Sequence, residues 1–339
     1  MKIVIDAFGS DRGEPVVVEG SVLATNQDKN LTVVIVGDSD VINSELKKYT
    51  YDSNRIQVVD AKEKISNDDV PTLAIRQKKN SSLVKALELT RDDSEVGGMV
   101  SAGSTGAVLT GAFLKIGRIK GVPRPALCPL LPTLTDGKVA LIDCGANVDC
   151  RPEHLEMFAV LGTSYMKTCG VENPRVALVS VGAEDKKGNE LTHETFRRLK
   201  EMPINFVGNM EARDALSGDF DVLVCDGFVG NVLLKSIEGT AKMVMKLLKN
   251  SIYSSLKAKI GALFMKKQFA TLKRKMDYQS SGGAVFLGIK KVLVKGHGSS
   301  TAQSIKNSIL QAKELAENNL VENIEKNIVD FIPTSDDDK

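Results

Sequence analysis

Met99-Val100-Ser101-Ala102-Gly103-Ser104-Thr105-Gly106-Ala107 carries the chain from a short apolar step straight into Val108-Leu-Thr-Gly-Ala-Phe-Leu114. A buried strand that ends in glycines and hydroxyl residues and turns at once into a helix leaves backbone N–H groups facing one small volume. The helix dipole favours negative charge at that point, so the turn reads as a seat for an anion. Gly103 and Gly106 let the backbone approach closely, and Ser101, Ser104 and Thr105 add hydroxyl donors. No Gly-Lys-Ser/Thr follows, and the full GxGxxG of a dinucleotide fold is missing. Taken alone, the same glycines also suit a plain tight turn.

The pattern around this stretch repeats. Short β-branched runs end in Gly, Asp or Asn and give way to helical periodicity. Lys2–Ile5 precedes Asp6-Ala-Phe-Gly9, Leu31–Val36 precedes Gly37-Asp38, and Lys138–Ile142 precedes Asp143-Cys-Gly-Ala-Asn147. Arg175–Val181 leads to Gly182, Asp221–Cys225 to Asp226-Gly-Phe-Val-Gly-Asn231, and Val292–Lys295 to Gly296-His-Gly298. Continuous apolar strands alternating with helices predict an α/β fold with a largely parallel sheet covered on both faces. Ligands bind at the carboxyl ends of such strands, where these polar turns fall. The expected organisation is one large α/β domain over residues 1–332, with a disordered tail at 333–339.

With 339 residues the chain can bury a large core, and 42% apolar and 26% charged residues are ordinary for a globular protein. A formal net charge of +2 excludes a general polyanion binder, and the absence of Trp argues against stacking on single-stranded bases. No nucleic-acid partner is expected. The five cysteines form no CxxC pair and no zinc spacing, so reduced thiols and no metal are expected. The strand-like opening Met-Lys-Ile-Val-Ile-Asp6 and the lack of an apolar run of about 20 residues point to a cytoplasmic protein.

One segment departs from the pattern. Residues 239–276 hold no acidic residue but ten basic ones: Lys242, Lys246, Lys249, Lys257, Lys259, Lys266, Lys267, Lys273, Arg274 and Lys275. Apolar residues from Ala241 through Ile260, Leu263 and Phe264 keep a helical stripe. The segment reads as protruding amphipathic helices for a membrane surface or an acidic partner, or as a helix pair at a dimer interface. Both uses are compatible.

Three further clusters carry chemistry. Gly182-Ala-Glu-Asp-Lys-Lys-Gly-Asn-Glu190 follows a strand, and can aim an ammonium into the cleft or form a solvated loop. Asp226-Gly-Phe-Val-Gly-Asn231 offers a carboxylate and an amide; an amide is a good donor to a developing oxyanion, but Asn also caps helices. Of three histidines, His154 looks structural and His193 exposed, whereas His297 occupies a flexible turn after a strand.

In fixed order, these stretches resemble the bacterial acyl-ACP:phosphate acyltransferase family over essentially the whole chain. The resemblance rests on Asp6–Asp11, Arg76-Gln-Lys-Lys-Asn-Ser-Ser82, Ser101–Gly106, Gly117–Ala126, Asp143–His154, Lys187-Gly-Asn-Glu-Leu191, Ile204–Asn209, Asp226–Asn231 and His297–Ser300. The family usually opens Asp-Ala-Met-Gly-Gly-Asp, so Phe8 and Ser10 depart from it without removing a charged group. The resemblance implies a three-layer sandwich like isocitrate and isopropylmalate dehydrogenases and phosphotransacetylase, assembled as a homodimer. It implies transfer of a long-chain fatty acyl group from the thioester of acyl carrier protein to inorganic phosphate, with no cofactor. Lys187 and Asn231 carry over as catalytic groups, with His297 as a further candidate. Asp6, Arg76, Lys79, Ser101, Gly103, Ser104, Thr105, Gly106, Arg124, Asn147, Asn189 and Asp226 are the phosphate- or substrate-binding candidates. The basic helices would touch the membrane reversibly through Ile260, Leu263 and Phe264 and meet the acidic carrier, and a membrane glycerol-phosphate acyltransferase would take the product. The nearest alternative is a phosphotransacetylase acting on a short acyl-CoA; a non-catalytic membrane scaffold is the rival of another class.

Overall fold

The chain folds into strands β1 (Lys2–Asp6), β2 (Thr32–Gly37), β3 (Ile56–Asp60), β4 (Val96–Ser101), β5 (Ala126–Cys128) and β6 (Leu130–Pro132). These are followed by β7 (Lys138–Ile142), β8 (Val176–Ser180), β9 (Phe206–Glu211), β10 (Val222–Val224), β11 (Ala284–Leu287) and β12 (Val292–Lys295). The computed structural model describes residues 1–276 and 282–331; the tail expected at 333–339 lies outside the described residues. Side chains of 273–276 also lie outside them, which takes in Lys273, Arg274 and Lys275.

The strands form two sheets. One has the order β3-β2-β1-β4-β12-β11-β5, parallel except for β11, and the other β6-β7-β10-β8-β9, parallel except for β6. They part at Pro129, between β5 and β6. Proline has no N–H for a ladder, which suits the point where the chain leaves one sheet for the other. The Pro129 carbonyl still accepts from Leu141 N at 3.1 Å.

Continuous apolar strands follow from covered faces. Ile3 and Ile5 of β1 pack in one core with Val17 and Val18 of α1 (Glu14–Gln27) and with Ile305. Val4, pointing the other way, packs with Val84 and Leu87. Those two come from the last of the three short helices that follow, α2 (Ser39–Leu46), α3 (Pro71–Gln77) and α4 (Ser82–Asp92). The stretch that opened the reading becomes β4 and α5 (Thr105–Gly111), which continues through a π turn, Ala112–Ile116. Helices α6 (Pro152–Thr168) and α7 (Glu190–Glu201) cover the second sheet.

A single helix, α8 (Gly227–Tyr253), then runs for 27 residues, followed by α9 (Leu256–Phe264) and α10 (Lys266–Met276). The last buried residue on α8 is Glu238, and no residue from Gly239 to Leu272 is buried. Leu263 and Phe264 stand 71% and 83% exposed. The last described helices are α11 (Ala302–Glu317) and α12 (Leu320–Phe331). Among the described residues, no helix is long and apolar enough to cross a membrane.

The turn after β1 presses on the turn after β4. A β-carbon on Gly9 would lie 2.1 Å from Gly103 N and 2.6 Å from the Ala102 carbonyl carbon, both backbone atoms. Overpacking of a site that cannot yield costs roughly 1–3 kcal/mol. Gly9→Ala is therefore expected to lower the stability measured by urea unfolding by that amount. Gly239→Ala, which meets nothing within 4 Å and removes a glycine from a helix interior, should hold or raise it.

Candidate active site

Two buried carboxylates, one at the end of a central strand in each sheet, shape the cleft. Asp6, closing β1, accepts from Ser82 Oγ at 2.6 Å, Ser101 Oγ at 2.9 Å and Phe8 N at 3.3 Å. Burial raises its pKa, and the two hydroxyls oppose that rise. Ser101 Oγ in turn accepts from Gly103 N at 3.1 Å, so Ser101, wholly buried, shapes the turn from behind. Asp143, after β7, accepts from Asn147 N at 2.6 Å, Leu127 N at 2.9 Å, Asn147 Nδ2 at 3.0 Å and Ala146 N at 3.2 Å. Burial raises its pKa too.

Between these turns lies a cavity of about 520 Å³. Gly103, Ser104 and Thr105 form one wall. The Ser104 hydroxyl, although at the helix start, caps nothing. Asn231 faces them from α8 across Gly145, whose φ of +111° favours glycine and whose β-carbon, if present, would lie 3.7 Å from that of Asn231. The cap of α8 is Asp226, whose Oδ1 accepts from Val229 N at 2.8 Å, which leaves the Asn231 amide uncommitted.

Lys295 and His297 supply the third wall. Lys295 Nζ donates to the Ala102 carbonyl at 3.3 Å and to the Gly296 carbonyl. Burial brings its pKa down to about 8, against the pull of Asp11 and Asp6. His297 Nδ1 accepts from Ser299 N at 3.1 Å, so the neutral ring carries its proton on Nε2. Burial lowers the His297 pKa, with Lys235, Lys295 and Lys242 adding to the effect and Glu238 opposing it, so the ring is neutral at pH 7. Lys235 pairs with buried Glu238 at 3.0 Å on the same wall.

The other candidates fall elsewhere. Arg76, Arg124 and Asn147 line a separate cavity of about 340 Å³ between α3 and α5. Asn147 Nδ2 is spent on the Pro125 carbonyl and Asp143, and Arg124 Nη1 donates to the Asp149 carbonyl at 3.2 Å. Lys79 is exposed in the turn after α3, and Gly106 is exposed on the first turn of α5. Asn189 caps α7 by accepting from Thr192 N at 2.9 Å. Lys187 is exposed in the loop after β8 and does not line the 520 Å³ cavity; Asn209 Nδ2 ties this loop down at the Glu184 carbonyl, 2.9 Å away.

The cavity thus brings together Gly103, Ser104, Thr105, Asn231 and His297 of the expected set, and adds Lys295 and Lys235. A signal for both was present. Lys295 is the one charge closing an apolar strand before Gly-His-Gly, and Lys235 is four residues from Asn231, on the same helix face. Among the described residues, no cluster of His, Cys, Asp and Glu could hold a metal ion.

Two parallel-dominated sheets that deliver a glycine-hydroxyl turn, an ammonium, an amide and an imidazole to one cleft define an α/β protein whose strand-end cleft suits an anionic ligand. The family model described as fatty acid synthesis protein matches residues 1–323. A phosphate acyltransferase of Clostridium acetobutylicum is 46% identical over 97% of this chain and 99% of its own length. One from Clostridium perfringens is 47% identical over 97% of each chain. The chain belongs to this family. Among solved structures, a Streptococcus pyogenes phosphotransacetylase superposes with a TM-score of 0.60 at 16% identity, covering 95% of this chain and 94% of the other. A Klebsiella pneumoniae 4-hydroxythreonine-4-phosphate dehydrogenase gives 0.53 at 11%, over 93% and 99%. These two share the fold, the one expected from the dehydrogenase-like architecture.

Lys295 gives a prediction with two signs. Its folded pKa lies below that of an unfolded lysine, so below pH 8 its charge is held at a cost to stability. That deficit fades as pH rises from about 8 toward 10.5, where the folded lysine is already neutral. Lys295→Met should raise stability at pH 7 by about 1–3 kcal/mol in urea unfolding, with a smaller gain at pH 9.5. The same variant should bind phosphate at least tenfold more weakly by calorimetric titration.

Proposed function

We propose that this protein is an enzyme that moves a long-chain fatty acyl group from the thioester of acyl carrier protein to inorganic phosphate, yielding acyl phosphate and the free carrier thiol. The observation that carries the reading is the cleft wall itself: an anion seat at Gly103, Ser104 and Thr105 faces a cation at Lys295 and an uncommitted amide at Asn231. Phosphate is already a nucleophile at neutral pH, so the protein needs to position it and compensate charge. Cys144, the thiol on this wall, is pushed well above the usual thiol pKa by burial and stays protonated, which favours direct transfer over an acyl-cysteine intermediate.

In this mechanism a phosphate oxygen held by the turn and Lys295 attacks the thioester carbonyl carbon. The Asn231 amide donates to the developing oxyanion, and the C–S bond then breaks. A thiol has a reference pKa of about 8.5, close to that of Lys295, so proton return to the leaving thiolate is nearly balanced. His297, with Nε2–H, donates to phosphate without carrying charge. Lys187, in the exposed loop after β8, the strand paired with β10, is the group that would orient phosphate from the cleft's edge.

The exposed tip of α8 to α10 fits a reversible contact with the cytoplasmic face of a membrane. Ile260, Leu263 and Phe264 would enter the interface and the lysines meet anionic headgroups, each worth about 1 kcal/mol. The exposed stripe along α8 suits pairing with a second copy, and the apolar product suits a membrane glycerol-phosphate acyltransferase. A phosphotransacetylase acting on a short acyl-CoA would need no such tip.

Hydroxylamine trapping should detect acyl phosphate from palmitoyl carrier protein and phosphate; product from acetyl-CoA alone would reverse the reading. Asn231→Ala and Lys187→Ala should fold normally and lose about 10²–10³ in turnover, and full activity in both would remove these assignments. Leu263→Glu should weaken co-sedimentation with anionic liposomes and leave turnover of soluble substrate unchanged.

A further inference from the structure

A second acid-free stretch lies outside the basic tip. From Val96 to Thr135 there is no Asp or Glu, while Lys115, Arg118, Lys120 and Arg124 fall inside it. Lys115 is neutralised by Glu88 at 2.7 Å. Arg118, Lys120 and Arg124 are exposed, and among the described residues no carboxylate pairs with any of them. The Arg118 guanidinium lies 4.8 Å over the Phe113 ring. Phe113 is 43% and Leu114 44% exposed, on the rim of the 340 Å³ cavity between α3 and α5.

Apolar side chains grouped at a cavity mouth and rimmed by unpaired cations fit an acidic protein face with a few apolar residues of its own. Reach decides which acidic protein. Phe113 is eight residues beyond Thr105 on one continuous helical run, about 12 Å along the axis. Tyr253, where α8 ends, is 22 residues beyond Asn231, or about 33 Å. A carrier protein presents its thioester on a phosphopantetheine arm of about fourteen bonds, about 18 Å when extended at roughly 1.3 Å per bond. A carrier seated beside Phe113 can deliver its thioester to the cleft, past the exposed Gly106. One seated on α9, past the far end of α8, falls short.

We infer that acyl carrier protein docks on the α3–α5 face, on Arg118, Lys120 and Arg124 around Phe113 and Leu114, and that the α9 tip serves the membrane and not the carrier. This rests on the acyl-transfer reading above, and it removes the carrier from the basic helices where sequence alone had put it.

The test is binding of fluorescently labelled acyl carrier protein to the full-length protein, read by anisotropy at low salt. Arg118→Glu/Lys120→Glu should bind at least tenfold more weakly, whereas Lys257→Glu/Lys259→Glu should match the wild type. With an acyl-pantetheine substrate, which lacks the carrier, Arg118→Glu/Lys120→Glu should turn over at the wild-type rate. Undiminished carrier binding by that variant, loss of binding in the tip variant, or no binding by the wild type would overturn the inference. So would an equal loss of turnover with acyl-pantetheine, or an altered oligomeric state, which would make this face a contact between copies. Because binding is read without turnover, a wild type that bound carrier through this face but made no acyl phosphate would refute the reaction and not the docking face.

Discussion

The hydrogen bond from Leu127 N to Asp143 Oδ1, 2.9 Å long, joins the last strand of one sheet to a carboxylate at the end of a central strand in the other. The cleft exists where the two sheets meet, so its geometry depends on this bond. Asp143 is fully buried and its pKa is raised, a burial that would be costly without four donors converging on it. The same carboxylate holds the Asn147 turn, and Asn147 O receives Gly227 N at 2.7 Å as α8 begins. Asn231 is thus positioned through one continuous set of backbone bonds. Asp6 plays the matching part in the first sheet, through Ser101 to Gly103.

This division of labour separates residues that build the site from residues that face it. Asp6, Ser101 and Asn147 are buried and saturated, while Ser104, Thr105 and Asn231 have their polar groups turned to the cavity. Lys295 combines both states. Its ammonium is tied to two carbonyls, partly desolvated, and left without an ion pair in contact. Asp6 and Asp11 pull on that charge without pairing with it, and on the proposed reading a bound phosphate adds to the compensation.

Helix α8 links this chemistry to the periphery. Asn231, Lys235 and Glu238 share its inner face near the cleft, and beyond Glu238 the helix leaves the protein body. A membrane contact at the tip and a carrier contact on α3–α5 would use separate surfaces of the protein. Lipid binding and substrate delivery then need not compete.

Most of the parallel α/β architecture was legible because it depends on local pattern. Apolar runs such as Val33–Val36 can be fully buried only between two covered faces, and the glycine-hydroxyl turn after β4 carries its anion preference in its own backbone. The basic, acid-free character of residues 239–276 needed no coordinates either. What residue types could not show was how each group is spent. Asn189 and Asn231 are both amides near helix starts, yet one is consumed as a cap and the other freed because Asp226 caps in its place. The resemblance offered Arg76 and Arg124 for the anion, but they line a separate cavity between α3 and α5. The split into two sheets at Pro129 and the lowered pKa of Lys295 arise from contacts between segments more than a hundred residues apart, such as Lys295 with Ala102. Sequence determined which chemistry the chain carries, because strand periodicity and turn composition act locally. Tertiary structure alone decided which of those groups share one cleft, because hydrogen-bond satisfaction and desolvation depend on neighbours brought from afar.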